Sequence, residues 1–241
     1  MLSEKPWRPE SVMQLCVAQI CCLCLGAATV WVLHKLGIHG FLRDESFGSI
    51  VVGTLCFQGA GWLLILFFLR QHGVGWREAF GFRGPKIRHP ILLTIGFIIM
   101  FAVVLLLQWT SVSTLEKLGL SPESQSAVKL VTDAKSLWTI IYLGVFAIVI
   151  APVAEEFIFR GMLFPFVKQL GFPRLAWFGV SFLFAVIHLN LPTLMPLFVL
   201  ALALTWLYDR TDNLLVPIVA HALFNAANFA MLLWQNHLPP A

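Results

Sequence analysis

Two adjacent carboxylates and an arginine lie inside one of the most apolar stretches of the chain. Glu155, Glu156 and Arg160 follow an apolar run that extends almost unbroken from Leu137 to Ala154. A charged residue inside a membrane segment costs about 2.5–3.5 kcal/mol on insertion scales, so its presence there indicates a function or a charged partner. On a helix Glu156 and Arg160 would face each other, whereas Glu155 would point about 100° away. A structural ion pair with one additional carboxylate is the alternative interpretation.

Two further pairs of polar or aromatic residues occur in later apolar segments. His188 follows Phe184 by four residues, and Asn225 follows His221 by the same interval. Each pair would share one face of a helix, so that the Phe184 ring can pack on the His188 imidazole. Taken singly, each histidine has the alternative of a simple hydrogen bond to a neighbour, and Asn225 that of a helix–helix contact.

Chain spacing predicts that these side chains meet in one cavity. If the segments on either side of the break at 171–173 form an antiparallel hairpin, Glu155 and His188 both lie about 22–24 Å from the turn. The last helix enters from the same side and brings His221 and Asn225 to a comparable depth. This requires the helix that carries Glu155 to continue well past the bilayer core.

The residue types in these positions suit hydrolysis. A carboxylate beside a histidine can deprotonate water, as Glu155 and His188 would, and a second histidine with an amide, His221 and Asn225, can stabilise an oxyanion. The sequence contains no G-x-S-x-G and no H-E-x-x-H motif, so neither a serine nucleophile nor a zincin site competes. We expect no cofactor. Zinc held by Glu155, His188 and His221 is the alternative.

The composition is that of an integral membrane protein. Of the 241 residues 59% are hydrophobic and only 12% are charged, against about 25% in soluble domains. No cluster of lysine or arginine indicates nucleic-acid binding, so the expected surroundings are a lipid bilayer. The five cysteines all lie in apolar runs and are expected to be small buried residues outside any disulfide framework.

The apolar runs predict an all-α fold, a polytopic membrane helix bundle with about seven transmembrane helices. The predicted helices cover about 11–33, 48–69, 90–110, 137–168, 174–190, a segment that ends near 208 after interruptions at Pro192 and Pro196, and 214–234. Short helices are expected at 76–80, at the membrane interface, and near 115–120. Pro152 is expected to kink the helix that carries Glu155.

The chain is expected to form one integral membrane domain. Residues 1–136 would supply about three helices and their links, and residues 137–241 a core of about four helices. With the N-terminus in the cytoplasm, eleven lysines and arginines fall on the inner side and five on the outer side. This bias predicts a cytoplasmic N-terminus and an external C-terminus.

Three motifs in this order carry a family resemblance: Glu-Glu-x-x-x-Arg at 155–160, Phe-x-x-x-His at 184–188 and His-x-x-x-Asn at 221–225. Together they resemble the CPBP family, the CAAX endopeptidases and bacteriocin-processing (Abi) membrane proteases. The resemblance covers about 137–234 and implies a multi-helix intramembrane glutamate protease whose site opens to the cytoplasm.

The resemblance also implies a role for each residue. Glu155 would be the base that activates water with His188, and His221 and Asn225 would form the oxyanion site. The supporting residues would be Glu156, Arg160 and Phe184.

The implied substrate is a membrane-associated or lipid-anchored peptide or protein. The basic composition indicates a prokaryotic inner membrane, where a prenylated substrate is not expected. Two alternatives remain: a non-catalytic scaffold or immunity-type protein with the same fold, and a transporter of small solutes or metals.

Overall fold

A computed structural model of the chain describes residues 2–5, 7–37, 47–82, 90–122, 125–134 and 136–237. All regular structure in these ranges is helical, which confirms the predicted fold class. The helices are α1 Pro9–Lys35, α2 Phe47–Thr54, α3 Ala60–His72, α4 Trp76–Phe80, α5 Pro90–Lys117, α6 Ser126–Asp133, α7 Leu137–Val145, α8 Ala151–Glu156, α9 Phe164–Gln169, α10 Pro173–Val186, α11 Leu191–Thr211 and α12 Leu215–His237. Three π-helical turns join successive helices: Leu55–Gly59, Phe146–Ile150 and Phe157–Leu163.

Six helical stretches in the described ranges are long and apolar enough to cross a membrane. They are Pro9–Lys35, Val51–His72, Thr94–Lys117, Leu137–Gln169, Leu191–Thr211 and Leu215–Gln235. The helix α10 is also apolar but has 14 residues, which gives it a length of about 21 Å against a hydrocarbon core of about 30 Å. The protein is therefore an integral membrane bundle in which one of the seven predicted helices is shorter than a full span.

The helix that carries the paired glutamates continues as the depth argument required. Helical structure is uninterrupted over Leu137–Gln169, so the segment passes through Arg160 and ends where the sequence predicted. Pro152 lies directly after the π-helical turn Phe146–Ile150. A proline and a π turn are both places where the regular backbone hydrogen bonding of a helix is interrupted.

Two predictions about the third span and the link after it are wrong: the helix does not end at residue 110, and no separate short helix lies at 115–120. The helix α5 ends at Lys117, so no separate short helix begins near residue 115. Nothing in 110–117 breaks the helix, and the chain turns only at Gly119, whose φ is +73°. The link also contains α6, Ser126–Asp133, which the sequence analysis did not predict.

The boundary between α10 and α11 also differs from the prediction. We expected the first of these helices to reach residue 190, but it ends at Val186, and Asn190 instead caps the start of α11. The predicted interruptions at Pro192 and Pro196 are wrong as well. Proline is well tolerated in the first turn of a helix, where Pro192 lies, and α11 passes Pro196 at the loss of one backbone hydrogen bond.

The contacts divide the chain into two units that interleave along the sequence. The first unit comprises Met1–Lys5, Trp76–Gln125 and Glu156–Phe224, and the second comprises Pro6–Gly75, Ser126–Glu155 and Asn225–Ala241. The predicted division of the chain at residue 136 stays a prediction.

The core of the first unit is formed by α5, α11 and α12. Its buried members are Met100, Val104, Leu200, Leu204, Leu207, Ala220 and Phe224. Lipid tails are as apolar as the surface of these helices, so burying that surface against another helix adds little free energy. Close packing and hydrogen bonds between helices therefore supply most of the stability. The hydroxyls of Ser181 on α10 and Thr205 on α11 lie 3.5 Å apart and are both buried, which fits this account.

The second unit contains a close contact between α1 and the π turn Leu55–Gly59. A Cβ atom at Gly26 would lie 2.5 Å from Cys56 Sγ, so only glycine permits this approach. Gln19 Nε2 donates to the carbonyl oxygens of Cys56 and Phe57 at 3.3 and 3.1 Å. The prediction that the cysteines are buried is wrong for all five, because a membrane helix buries only part of its surface against its neighbours. Cys21 and Cys24 are exposed, and the other three are half-buried.

The N-terminal residues belong to the first unit and hold the turn between α11 and α12. Ser3 Oγ and Lys5 Nζ both donate to Asp212 Oδ1, at 3.0 and 3.1 Å. Partial burial raises the pKa of the Asp212 carboxyl, but the hydrogen bonds and charge of Lys5, with those of Ser3, outweigh it and hold the pKa below its ordinary value. The same turn is fixed to α4 by the bond from Leu214 N to Phe80 O, at 2.9 Å. The helix α4 itself confirms the short helix predicted at 76–80.

Candidate active site

A fully buried carboxylate, Glu156, lies at the end of α8 in the first unit. Its Oε1 accepts a hydrogen bond from Arg160 Nη1 at 2.8 Å and lies 3.0 Å from His221 Nδ1. The ion pair four residues apart was predicted from the sequence and is confirmed. The contact with His221, on α12, was not predicted, and it makes Glu156 the link between two of the three motifs.

Arg160 is fully buried as well, and its charge is compensated on three sides. Besides its bond to Glu156, Nη2 donates to the backbone carbonyl of Ala201 on α11 at 3.0 Å. The guanidinium carbon lies 4.6 Å from the centre of the Phe184 ring. A buried arginine is tolerated only when its charge and donors are matched in this way, so the first motif is locked to both α10 and α11.

The Phe184 ring is the common neighbour of both motif histidines. It is fully buried in the last turn of α10, and its centre lies 5.0 Å from the His188 ring and 5.8 Å from the His221 ring. The ring of Phe159 meets it edge-on at 5.2 Å. The predicted packing of Phe184 on His188 is therefore confirmed, and the same ring also supports His221.

His188 is half-buried and lies just beyond the end of α10, not on the helix as expected. Its Nδ1 is 2.7 Å from the carbonyl oxygen of Phe184. A carbonyl oxygen only accepts, so Nδ1 carries the hydrogen and donates it. In the neutral ring Nε2 then carries the lone pair, which is the arrangement that a proton acceptor needs.

His221 is buried on α12, and its proton arrangement follows from its partner. An ionised carboxylate such as Glu156 only accepts, so His221 Nδ1 carries a hydrogen. Neutral His221 would therefore be an acceptor at Nε2. To donate at Nε2, as an oxyanion requires, the ring must carry a hydrogen on both nitrogens.

The other two predicted site residues, Glu155 and Asn225, belong to the second unit. Asn225 Nδ2 donates to the carbonyl of Ala147 at 2.8 Å, within the π turn Phe146–Ile150. That turn shifts the backbone pairing of the helix, which helps to make a carbonyl available to a side chain. Glu155 is half-buried in α8. The structure thus gathers five of the seven predicted site and supporting residues in the first unit and places these two in the second.

A metal site was the alternative that the sequence left open. No group of three or more His, Cys, Asp or Glu side chains lies close enough together to hold a metal ion within the described ranges. His221 Nδ1 faces Glu156, which leaves Nε2 as the ring nitrogen that is not used in this contact.

Comparison with known families agrees with the geometry of these residues. Residues 137–227 match the family model described as Type II CAAX prenyl endopeptidase Rce1-like. This stretch is similar to the CAAX protease family. The match begins with α7 and includes every residue of the three motifs, and it supports CAAX-type intramembrane protease activity in general. The comparisons with curated proteins and with solved structures found no match.

The candidate site contains one contact that could not be predicted from the sequence and one feature that could have been. The Glu156–His221 contact has no local signal, since it depends on how α8 and α12 pack. The start of α11 does have one, because an asparagine followed by a proline in the next turn, as at 190–192, is a typical helix start.

Proposed function

We propose that this protein is an intramembrane endopeptidase that hydrolyses a peptide bond of a membrane-associated or lipid-anchored peptide or protein. The observation that carries the proposal is the buried group formed by Glu156, Arg160 and His221 beside the Phe184 ring, which also contacts His188. Such a set of ionisable groups in a membrane protein is costly and indicates function.

In the proposed mechanism Glu155 and His188 activate the attacking water. The bond from His188 Nδ1 to the Phe184 carbonyl fixes the tautomer with the lone pair on Nε2, so this nitrogen can orient the water or accept its proton. Glu155 would accept the proton of the water as the general base and return it to the nitrogen of the leaving amine, while His188 Nε2 accepts a hydrogen bond from the same water. The adjacent Glu156 is less suited to that role, since its carboxylate is fully buried and already paired with Arg160 and His221.

His221 and Asn225 are proposed to stabilise the oxyanion of the tetrahedral intermediate. His221 would act in its doubly protonated form, with Nδ1–H bound to Glu156 and Nε2–H donated to the oxyanion. Asn225 Nδ2 carries two hydrogens, of which one is donated to Ala147, and the other is available chemically for the oxyanion. On this account no metal ion is needed.

The proposed location is a prokaryotic inner membrane with the N-terminus in the cytoplasm. In that setting the substrate would be a membrane-anchored peptide or the C-terminal tail of another protein rather than a prenylated protein. The site would open towards the cytoplasm, where such tails are accessible.

The test uses purified protein in liposomes with two internally quenched peptides. One carries a farnesylated cysteine near its C-terminus, and the other the same sequence with a diacyl anchor. Wild type should cleave the diacylated peptide faster, and Glu155→Gln should cleave neither at unchanged thermal stability. Glu78→Gln, which changes an exposed carboxylate on α4, is the matched control and should behave as wild type.

Cells provide the complementary measurement. Mass spectrometry of membrane peptides from cells with wild type or Glu155→Gln should reveal products that only the wild type generates. If wild type cleaves neither peptide and no such products occur, the protease proposal is wrong. A phenotype that survives Glu155→Gln would then favour a scaffold, and solute flux into liposomes a transporter.

A further inference from the structure

The turn that carries His188 has a backbone conformation that needs external support. Leu189, the next residue, has a φ of +48°, a left-handed conformation that a residue with a Cβ atom rarely adopts. Such a conformation costs on the order of 1–3 kcal/mol and persists only where the surrounding structure holds it. Leu189 is also almost fully exposed, so its own side chain supplies little of that support.

The support comes from Asn190 and Thr193 at the start of α11. Asn190 Oδ1 accepts hydrogen bonds from the backbone N–H of Thr193 at 3.2 Å and from the Thr193 hydroxyl at 2.9 Å. The first of these is an ordinary helix cap. The second bond, from the Thr193 hydroxyl, is not part of an ordinary cap. The same hydroxyl also has a partner outside the cap.

That other partner is Gln125, which lies just before α6 and far away in sequence. Gln125 Nε2 donates to Thr193 Oγ1 at 3.0 Å. The Thr193 hydroxyl therefore accepts from one side chain and donates to the next, which gives a chain of bonds from Gln125 through Thr193 to Asn190. All three residues are half-buried, where a hydrogen bond is less exposed to competition from water.

We propose that Gln125, Thr193 and Asn190 form a positioning network for His188. The inference rests on the proposed function of His188 as a member of the water-activating pair. His188 is fixed to α10 by its own bond to Phe184 O, and the network fixes the other end of the turn to α11. With both ends held, the strained Leu189 cannot relax, and His188 Nε2 keeps one position relative to the Phe184 ring.

Thr193→Val separates this role from simple helix capping. Valine has nearly the shape of threonine and keeps the backbone N–H that donates to Asn190 Oδ1, so the cap survives while the bond to Gln125 is lost. Thr193→Ser restores the hydroxyl. The matched control is Thr205→Val, which removes a buried hydroxyl from the same helix, about 18 Å further along, where it contacts Ser181.

We expect a selective loss of turnover with the faster-cleaved of the two quenched peptides in liposomes. Thr193→Val should lower kcat about 10- to 100-fold, since small misplacements of a catalytic group have effects of this size, while KM changes little. Thr193→Ser should retain most of the activity, and Thr205→Val should retain kcat. Gln125→Met should lower kcat in the wild type but add nothing to Thr193→Val, because both break the same chain of bonds.

Hydrogen exchange provides a readout that does not depend on activity. Backbone exchange over residues 186–193 should become faster in Thr193→Val and remain unchanged in Thr205→Val. The proposal is overturned if Thr193→Val keeps its kcat, if Thr205→Val loses kcat to the same extent, or if exchange at the turn does not change.

Failure of the network is distinguishable from failure of the proposed function. If His188→Ala abolishes cleavage while Thr193→Val behaves as wild type, only the positioning role is wrong. If His188→Ala cleaves as well as wild type, His188 is not part of the site: its proposed role and the positioning network are both wrong, whereas the endopeptidase proposal stands. If wild type itself cleaves neither peptide, the endopeptidase proposal fails.

Discussion

At the scale of single residues, the two oxygens of the Glu156 carboxylate differ in their hydrogen bonds. Its Oε1 accepts from Arg160 and from His221, whereas Oε2 is buried and has no hydrogen-bond partner among the described residues. The carboxylate is therefore held by charge more than by a full set of hydrogen bonds. A substitution that keeps its shape but removes its charge tests this point.

The two glutamates should respond differently to the same change. Glu156→Gln leaves Arg160 buried without its counter-charge, and breaking a buried pair in this way costs about 3–5 kcal/mol. Glu155→Gln should leave the unfolding temperature unchanged and abolish cleavage. Thermal unfolding of the purified protein and peptide cleavage in liposomes measure the two effects. A stable but inactive Glu156→Gln beside an active Glu155→Gln would show that the roles are reversed.

Chelation and pH test the proposed chemistry of the site. Activity should fall at acid pH, because the proposed general base Glu155 acts in its ionised form. Any apparent pKa of the pH–rate profile would belong to the pair of Glu155 and His188. Prolonged chelation should leave cleavage intact, since a protonated histidine and an amide supply the stabilisation. Stoichiometric zinc whose removal abolishes activity and whose return restores it would contradict this account and make Glu155, His188 and His221 ligands.

At the scale of elements, the short helix α4 is packed directly against the helix that carries the first motif. The Phe80 ring meets the Phe157 ring edge-on at 4.6 Å, and the Trp76 ring meets it at 5.4 Å. Phe80 also lies against Gly161, where an added Cβ atom would be 2.8 Å from the ring. Phe80 is fully buried and cannot move aside without disturbing Phe157.

Alanine at Gly161 should therefore destabilise the protein. Overpacking of a tight contact costs about 1–3 kcal/mol, which exceeds the gain of about 0.5–1 kcal/mol from replacing a helical glycine by alanine. The control is Gly96→Ala on α5, where nothing lies within 4 Å of the added atom, and which should be neutral or slightly stabilising. Unfolding temperatures of both variants measure the difference. Equal stability of the two would show that α4 yields to the added methyl group.

At the scale of the whole molecule, the N-terminal residues contribute to stability through Asp212. The folded state holds the pKa of this carboxyl below its ordinary value, so its contribution is present above that value and is lost as the pH falls through the folded-state pKa. Asp212→Asn should lower the unfolding temperature at neutral pH. The difference from wild type should shrink as the pH falls below the ordinary value of 3.8. A difference that is independent of pH would show that the Lys5–Asp212 charge pair is not responsible.

The membrane orientation is a second property of the whole molecule. The excess of lysine and arginine on one side predicts an N-terminus in the cytoplasm and a C-terminus outside. Alkaline phosphatase fused after Ala241 should therefore be active, and green fluorescent protein at the same place should be dark. The reverse result would place the C-terminus in the cytoplasm and contradict the predicted crossing pattern.

The sequence by itself determined the class of the protein, the family that residues 137–227 resemble and the local pairs of its motifs. Apolar runs of about twenty residues permit little but membrane helices, because backbone polar groups must be satisfied within the segment. The Glu156–Arg160 pair and the Phe184–His188 contact were also predictable, because residues four apart lie on the same side of a helix or its last turn.

The end of α10 at Val186 was missed because an apolar segment in a membrane has no solvent boundary that would mark it, although Asn190 and Pro192 gave a local signal for the start of α11.

Only the tertiary structure decided which helices meet. The Glu156–His221 contact joins residues 65 positions apart, and the bond from Gln125 to Thr193 joins residues 68 apart. These contacts depend on how distant helices pack, and no local periodicity encodes such distances.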